Sequence, residues 1–322
     1  NLFSGEHLFT AIAHDTFALS TVSAPRRVIV RAAAAEAQFL GADTRTQGNW
    51  KARYGTAGYW IIADAFALPE SVLVESADAI PFIFTGETED VRGLESPTGG
   101  SRVAACVFGN PQFTFEVDVR EGNSTVLGVY CLDWNDADRS MEITVLDPSG
   151  EVLDRRELEQ FAAGQYLFWK IRGQVRFHFR SPVVNPVVSG FFLDSDLSAY
   201  DLWRNNAFTR EEIEQMNPSF DARDFDNDGV ANGLEHALGF DPRDGSDAPA
   251  FQYTSTFERL VIRISRRATQ PGWKVILETS SNFTEWFRQP IGDGGDESGE
   301  VVLELPLSEA RQFFRVGAVK MD

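Results

Sequence analysis

The chain is short of cysteine, histidine and positive charge. Its 322 residues include two cysteines, Cys106 and Cys131, and four histidines. Two thiols make no disulfide framework; they either pair across neighbouring strands, as in a secreted protein, or stay as buried free thiols, and both readings stand. His7, His14, His178 and His236 are scattered without metal-ligand spacing. No GxSxG, HExxH or glycine-rich phosphate loop occurs, so the common nucleophilic, zinc-hydrolase and nucleotide chemistries have no motif here. Lys and Arg number 29 against 48 Asp and Glu, a formal charge of −19 that repels nucleic acid and anionic lipid. No run reaches the ~20 apolar residues of a membrane-spanning helix. The chain begins at Asn1 without a charged-then-apolar leader, and is read as a mature piece from which a signal peptide or upstream domains have been removed.

What is present argues for folded β structure. The apolar fraction is 43% and includes 26 phenylalanines, and the length suits two domains that each bury a core. Period-two alternation dominates the first 200 residues: Phe113, Phe115, Val117 and Val119 fall on one face, with Thr114, Glu116 and Asp118 on the other. Similar strands are expected near 27–32, 71–76, 102–108, 124–133, 141–147, 165–171, 174–180 and 187–193, separated by turns such as 97–100, 121–124 and 148–150. The Ala-rich run 32–37 either starts a short helix or, through Phe39 and Leu40 before Gly41, ends a strand. Near residue 200 the composition changes. Thr209 to Glu212 is a capping box opening a helix that stops before Pro218. Strands return at 259–265, 273–279, 300–305 and 312–318.

Between those β regions lies the sharpest motif. Residues 224–235 match D-x-[DN]-x-[DN]-G-x5-E at every defined position. Asp224, Asp226 and Asp228 supply carboxylates at loop positions 1, 3 and 5. Gly229 permits the turn, Val230 offers its carbonyl, Asn232 sits at position 9 and Glu235 closes bidentately. The expected cofactor is Ca2+, against the alternative of a solvated acidic turn. Pro218 prevents a continuous entering helix and Ala231 replaces the usual bulky residue at position 8, so the loop reads as solitary and structural rather than as a paired EF-hand.

Other constellations carry a functional and a bland reading each. Asp133, Asn135, Asp136 and Asp138 form either a second cation site or an Asx-rich turn. Lys170, Arg172, Arg176, His178 and Arg180 occupy even positions of a strand and make either a cationic face suited to an anionic polysaccharide or an ordinary solvated outer face, unless Gly173 is a turn that resets the parity. Trp50 and Trp60, with Tyr54 and Tyr59, lie between glycines either as sugar-stacking rings or as core. His178 with Arg176, Arg180 and Tyr166 is the one lyase-like grouping.

Residues 43–59, 129–135 and 188–194 resemble the start, middle and end of an accessory β-sandwich module found in secreted proteins of polysaccharide-degrading bacteria. The calcium loop with Gly239-Phe-Asp-Pro resembles thrombospondin type 3 and dockerin-like repeats, and 278–286 with 313–316 resembles a small C-terminal β domain. Such modules flank catalytic or adhesive domains. The resemblance therefore implies a non-catalytic, secreted or cell-surface region attached to further domains, and a single repeat speaks against cohesin docking. The expected architecture is all-β: a β-sandwich at 1–200, a helical calcium-binding linker at 201–246 and a second sandwich at 247–322. A structural spacer or adhesin stalk is the alternative function, and a polysaccharide-degrading enzyme a third.

Overall fold

The computed structural model describes residues 5–14, 20–30, 34–268, 270, 272–289, 299–307 and 313–321. Residues 31–33, which end the strand expected at 27–32 and begin the Ala-rich run, lie outside the described residues, as does residue 312. The chain is all-β with a few short helices and forms two compact units, 1–206 and 207–322. No helix among the described residues is long and apolar enough to cross a membrane.

In the first unit a nine-stranded sheet runs in the order Val152–Leu158, Met141–Leu146, Gln165–Arg180, Gln112–Cys131, Gly190–Asp194, Gly58–Ile61, Ala65–Ala67. Glu36–Asp43 also pairs with Gln165–Arg180, and Val72–Glu75 with Gln112–Cys131. A four-stranded sheet is built on Arg102–Phe108, which pairs with Ile80–Thr88, Leu94–Glu95 and Val187–Val188. The alternating face is buried as expected, with Phe113, Phe115 and Val117 at 0% exposure. Phe177 and Phe179 join them from the paired strand, and Phe113 stacks on Phe179 at 4.9 Å. Cys106 and Cys131 are buried free thiols. Two small ribbons, Gly5–Phe9 with Arg26–Val30 and Ile12–His14 with Ser20–Val22, precede this core.

One expected turn is corrected. Residues 121–124 do not reverse the chain but bulge within the single strand Gln112–Cys131, whose pairing jumps from Val119–Gly173 to Ser124–Arg172. Glycine meets the backbone demand on both sides, since Gly122 and Gly173 have φ of 71° and 67°. Arg120 fastens the bulge, its N–H donating to the Ser71 carbonyl at 2.9 Å.

The second unit opens with the helix Arg210–Met216, closed at its N-terminus by the reciprocal Thr209–Glu212 capping box. A short helix, Asn232–Leu238, follows the acidic loop and ends at Gly239 in the left-handed region, φ 81°. Two three-stranded sheets complete the unit: Phe251–Ser255, Arg259–Ser265, Glu300–Pro306, and Phe287–Arg288, Trp273–Ser280, Phe313–Lys320. The segment expected as a linker shares their core. Val230, Leu234, Leu238 and Phe240 cluster with Leu260, Ile262, Ile264, Leu277, Val301, Leu303 and Leu305.

Candidate metal centre

The acidic loop divides its carboxylate oxygens between backbone and cavity. One Asp224 oxygen accepts from Gly229 N at 2.9 Å, one Asp226 oxygen from Asp228 N at 3.3 Å, and one Asp228 oxygen from Val230 N at 2.7 Å. The other oxygen of each aspartate is buried and has no hydrogen-bond partner. One carboxylate oxygen of each aspartate lies within 4.8 Å of the other two. Gly229, φ 94°, makes the turn that allows this, and Asn227, φ 63°, also adopts left-handed backbone.

Glu235 comes from the following helix. It is fully buried, and both of its carboxylate oxygens lack partners. It stands outside the 4.8 Å set. Even so, burial first, and then the charges of Asp226, Asp228 and Asp224, push its pKa up to about 8. Asp226 is also raised, chiefly by burial. Five bare, buried carboxylate oxygens from four acidic residues match the oxygen-donor chemistry of a hard divalent cation, which takes six to eight oxygens. The residues present fit calcium: Asp224, Asp226, Asp228, Glu235 and the Val230 carbonyl would hold it.

Asn232, expected as a ligand at position 9, has both amide atoms hydrogen-bonded within the protein. It is 0% exposed; its Oδ1 accepts from Phe225 N at 3.2 Å and its Nδ2 donates to the Phe220 carbonyl at 3.1 Å. It clamps the loop to the preceding turn. The segment 240–247 lies against the loop. A Cβ on Gly245 would sit 3.5 Å from the Asp226 carbonyl oxygen, and Asp241 adds to the charge acting on Glu235. Arg243 holds the segment by pairing with Glu212 at 2.7 Å and lying over Phe225 at 4.7 Å.

The second acidic cluster already has its cation. Asp133 and Arg139 form a buried ion pair, and the Arg139 guanidinium also donates to Asn135 Oδ1 at 2.6 Å and Asn185 Oδ1 at 3.3 Å.

The cationic strand keeps its parity. Gln165–Arg180 is unbroken at Gly173; Ile171, Gly173, Val175, Phe177 and Phe179 are buried while Lys170, Arg172, Arg176, His178 and Arg180 are not. Acidic neighbours temper that face, because Arg176 pairs with Glu116 at 2.6 Å and Arg172 with Glu36 at 3.3 Å. Lys170, His178 and Arg180 form no ion pair among the described residues.

The structure does not place Trp50 and Trp60 as exposed platforms. Trp50 is buried, its indole N–H donating to the Glu95 carbonyl at 2.8 Å, with its ring against Phe192 at 5.3 Å. Trp60 is half-buried and packs edge-on to Phe115. The lyase-like grouping is not assembled either. Tyr166 is buried twelve residues from His178 along the same strand, and its hydroxyl donates to the Gln47 carbonyl at 2.5 Å.

No family model and no curated protein matches the chain. Solved structures similar to it include promiscuous carbohydrate-binding modules of the β-sandwich superfamily, at 12% identity over 60% of this chain and 73% of that one, with a TM-score of 0.22. A Paenibacillus sp. cycloisomaltooligosaccharide glucanotransferase complexed with cycloisomaltoheptaose is 12% identical over 83% of this chain, TM-score 0.27, and the match spans 46% of that enzyme chain. The tandem CBM22 domain of Paenibacillus barcinonensis Xyn10C is 10% identical over 90% of this chain and 87% of its own, TM-score 0.23.

Proposed function

We propose that the chain is a non-catalytic, calcium-stabilised accessory region of a secreted or cell-surface protein, joined to further domains of the same polypeptide. The observation that carries this reading is that Asp224, Asp226 and Asp228 bring one carboxylate oxygen each within 4.8 Å of one another, and that these three oxygens and both of Glu235 are buried without a hydrogen-bond partner. No protein cation hydrogen-bonds to those oxygens, and leaving buried charge uncompensated costs several kcal/mol per ion. A bound Ca2+ supplies the missing positive charge; Val230 contributes a carbonyl and Asn232 holds the loop in shape. The test is isothermal titration of calcium into the chelator-treated chain, with Asp224→Ala and Asp228→Ala as controls. One site per chain that is lost in both variants supports the reading. No heat at millimolar calcium would sink it.

Polysaccharide binding by the first unit is a second reading, favoured by the row Lys170, His178 and Arg180 on one open strand face. Residues two apart on one strand stand roughly 7 Å from each other, as His178 and Arg180 do, and Lys170 lies on the same strand on the order of 26 Å away, so the face offers widely spaced contacts for a sulfated or uronic polymer. Affinity electrophoresis against such polymers tests it: retention should fall in Lys170→Ala/Arg180→Ala and with rising salt. An unretained native chain removes polysaccharide from the function and leaves a structural spacer.

A further inference from the structure

The acidic loop is built into the core of the C-terminal unit. Val230 directly follows the loop glycine, Leu234 and Leu238 share the Glu235 helix, and Phe240 follows its glycine cap. All four belong to the buried cluster that includes Leu260, Ile262 and Ile264 of one sheet and Leu277 of the other. Metal ligand and core residues are therefore neighbours on a single seven-residue helix. A helix that short has no stability of its own in water and persists only through what it packs against or binds.

Without a cation the helix is pulled two ways. Its apolar residues hold it in the core, while Glu235 is driven out, being fully buried with no hydrogen-bond partner beside three other carboxylates. The nearby arginines are committed elsewhere: Arg243 to Glu212, and Arg267 to Asp247 and the Phe240 ring. Hydrating Glu235 requires the helix to leave, and with it go Leu234 and Leu238. Both sheets then lose a shared part of their core. The first unit has a separate core that takes nothing from the loop.

On the calcium reading above, we propose that folding of the whole C-terminal unit, strands included, is conditional on calcium. The unit is folded at the ~10⁻⁴–10⁻³ M to which extracellular modules are tuned and unfolded in a calcium-poor compartment. The first unit folds in both.

Hydrogen exchange on the full chain, in millimolar calcium and then in excess EGTA, tests this, with calcium titration on the same sample. The expected result is that amides of 259–265 and 273–280 lose protection by at least about 100-fold in EGTA and regain it when calcium is restored. Those of 112–119 and 165–180 should be unchanged. If calcium binds but exchange accelerates only within 220–240, or nowhere, the conditional-folding proposal is overturned and the calcium site stands. If no calcium binds, the site itself is refuted and this proposal falls with it.

Discussion

Asn232 separates a ligand from a clamp more cleanly than any carboxylate, because its two roles predict opposite effects of one charge. Truncation in Asn232→Ala removes the acceptor for Phe225 N at 3.2 Å and the donor to the Phe220 carbonyl at 3.1 Å. Both backbone groups lose their side-chain partner in a place where Asn232 is 0% exposed. An unsatisfied buried polar group costs ~1–3 kcal/mol; Phe225 N is left without an acceptor while the Phe220 carbonyl keeps its bond from Arg223 N at 3.2 Å, so the loss is about 1–3 kcal/mol. That is an appreciable part of the ~5–15 kcal/mol by which an ordinary domain is stable. The assay is urea unfolding of the C-terminal unit in saturating calcium. Asn232→Asp then decides the role. A carboxylate keeps the acceptor for Phe225 but faces the Phe220 carbonyl with an oxygen, and brings another negative charge beside four acids. A clamp therefore predicts that Asn232→Asp is at least as destabilising as Asn232→Ala. A position-9 ligand predicts the reverse, tighter calcium and a unit as stable as the native one; that outcome would make Asn232 a ligand and not a clamp.

In the first unit, Arg139→Met leaves the buried Asp133 carboxylate without its cation and should destabilise by ~3–5 kcal/mol, with Asp133→Asn/Arg139→Met recovering much of the loss in thermal unfolding. Gly164→Ala places a Cβ 1.9 Å from the Tyr130 hydroxyl, which donates to the Arg92 carbonyl, at a backbone φ of 86°. It should cost several kcal/mol, and a wild-type melting curve would disprove the packing described. Burial pushes the Cys106 thiol up to about 12 and Cys131 also upward, so the reactive thiolate is scarce at pH 8. Iodoacetamide should label both only in urea, and rapid labelling of the native chain would contradict their burial. Trp50→Phe should lower the stability of the first unit by ~1–2 kcal/mol through the lost bond to Glu95 and leave polysaccharide retention unchanged. Lost retention with native stability would reinstate a sugar platform.

These features are unevenly legible in the sequence. Strands such as 113–119 declare themselves because one face meets core and the other water, so hydrophobicity alternates. Ile80–Thr88 does not: its Ile, Phe and Ile are exposed on both faces, and Pro81 argues against a strand interior. Val152–Leu158 reads as a charged segment because its arginines and acids pair locally, Arg156 with Asp154 at 2.7 Å. The carboxylate loop is legible since its donors lie within twelve residues and the chemistry dictates their spacing. Asn232 misleads because its partners lie at Phe220 and Phe225 and no spacing rule encodes them. Trp50 is settled by Glu95, forty-five residues away. Parity across Gly173 was equally hidden, since a glycine at positive φ serves a turn and a bulge alike.

That bulge bears on how the sequence can change. A residue inserted elsewhere in Gln112–Cys131 would slide every side chain beyond it to the opposite face and bring its charges into the core. Residues 120–123, which fall between the two registered stretches, are different, because Val119–Gly173 and Ser124–Arg172 fix the pairing independently on either side. The first unit thus contains one place in its longest strand where length can vary while the pattern does not. An epitope or cysteine label added there would mark the molecule at the centre of its largest sheet, and natural variants of different length should differ there first.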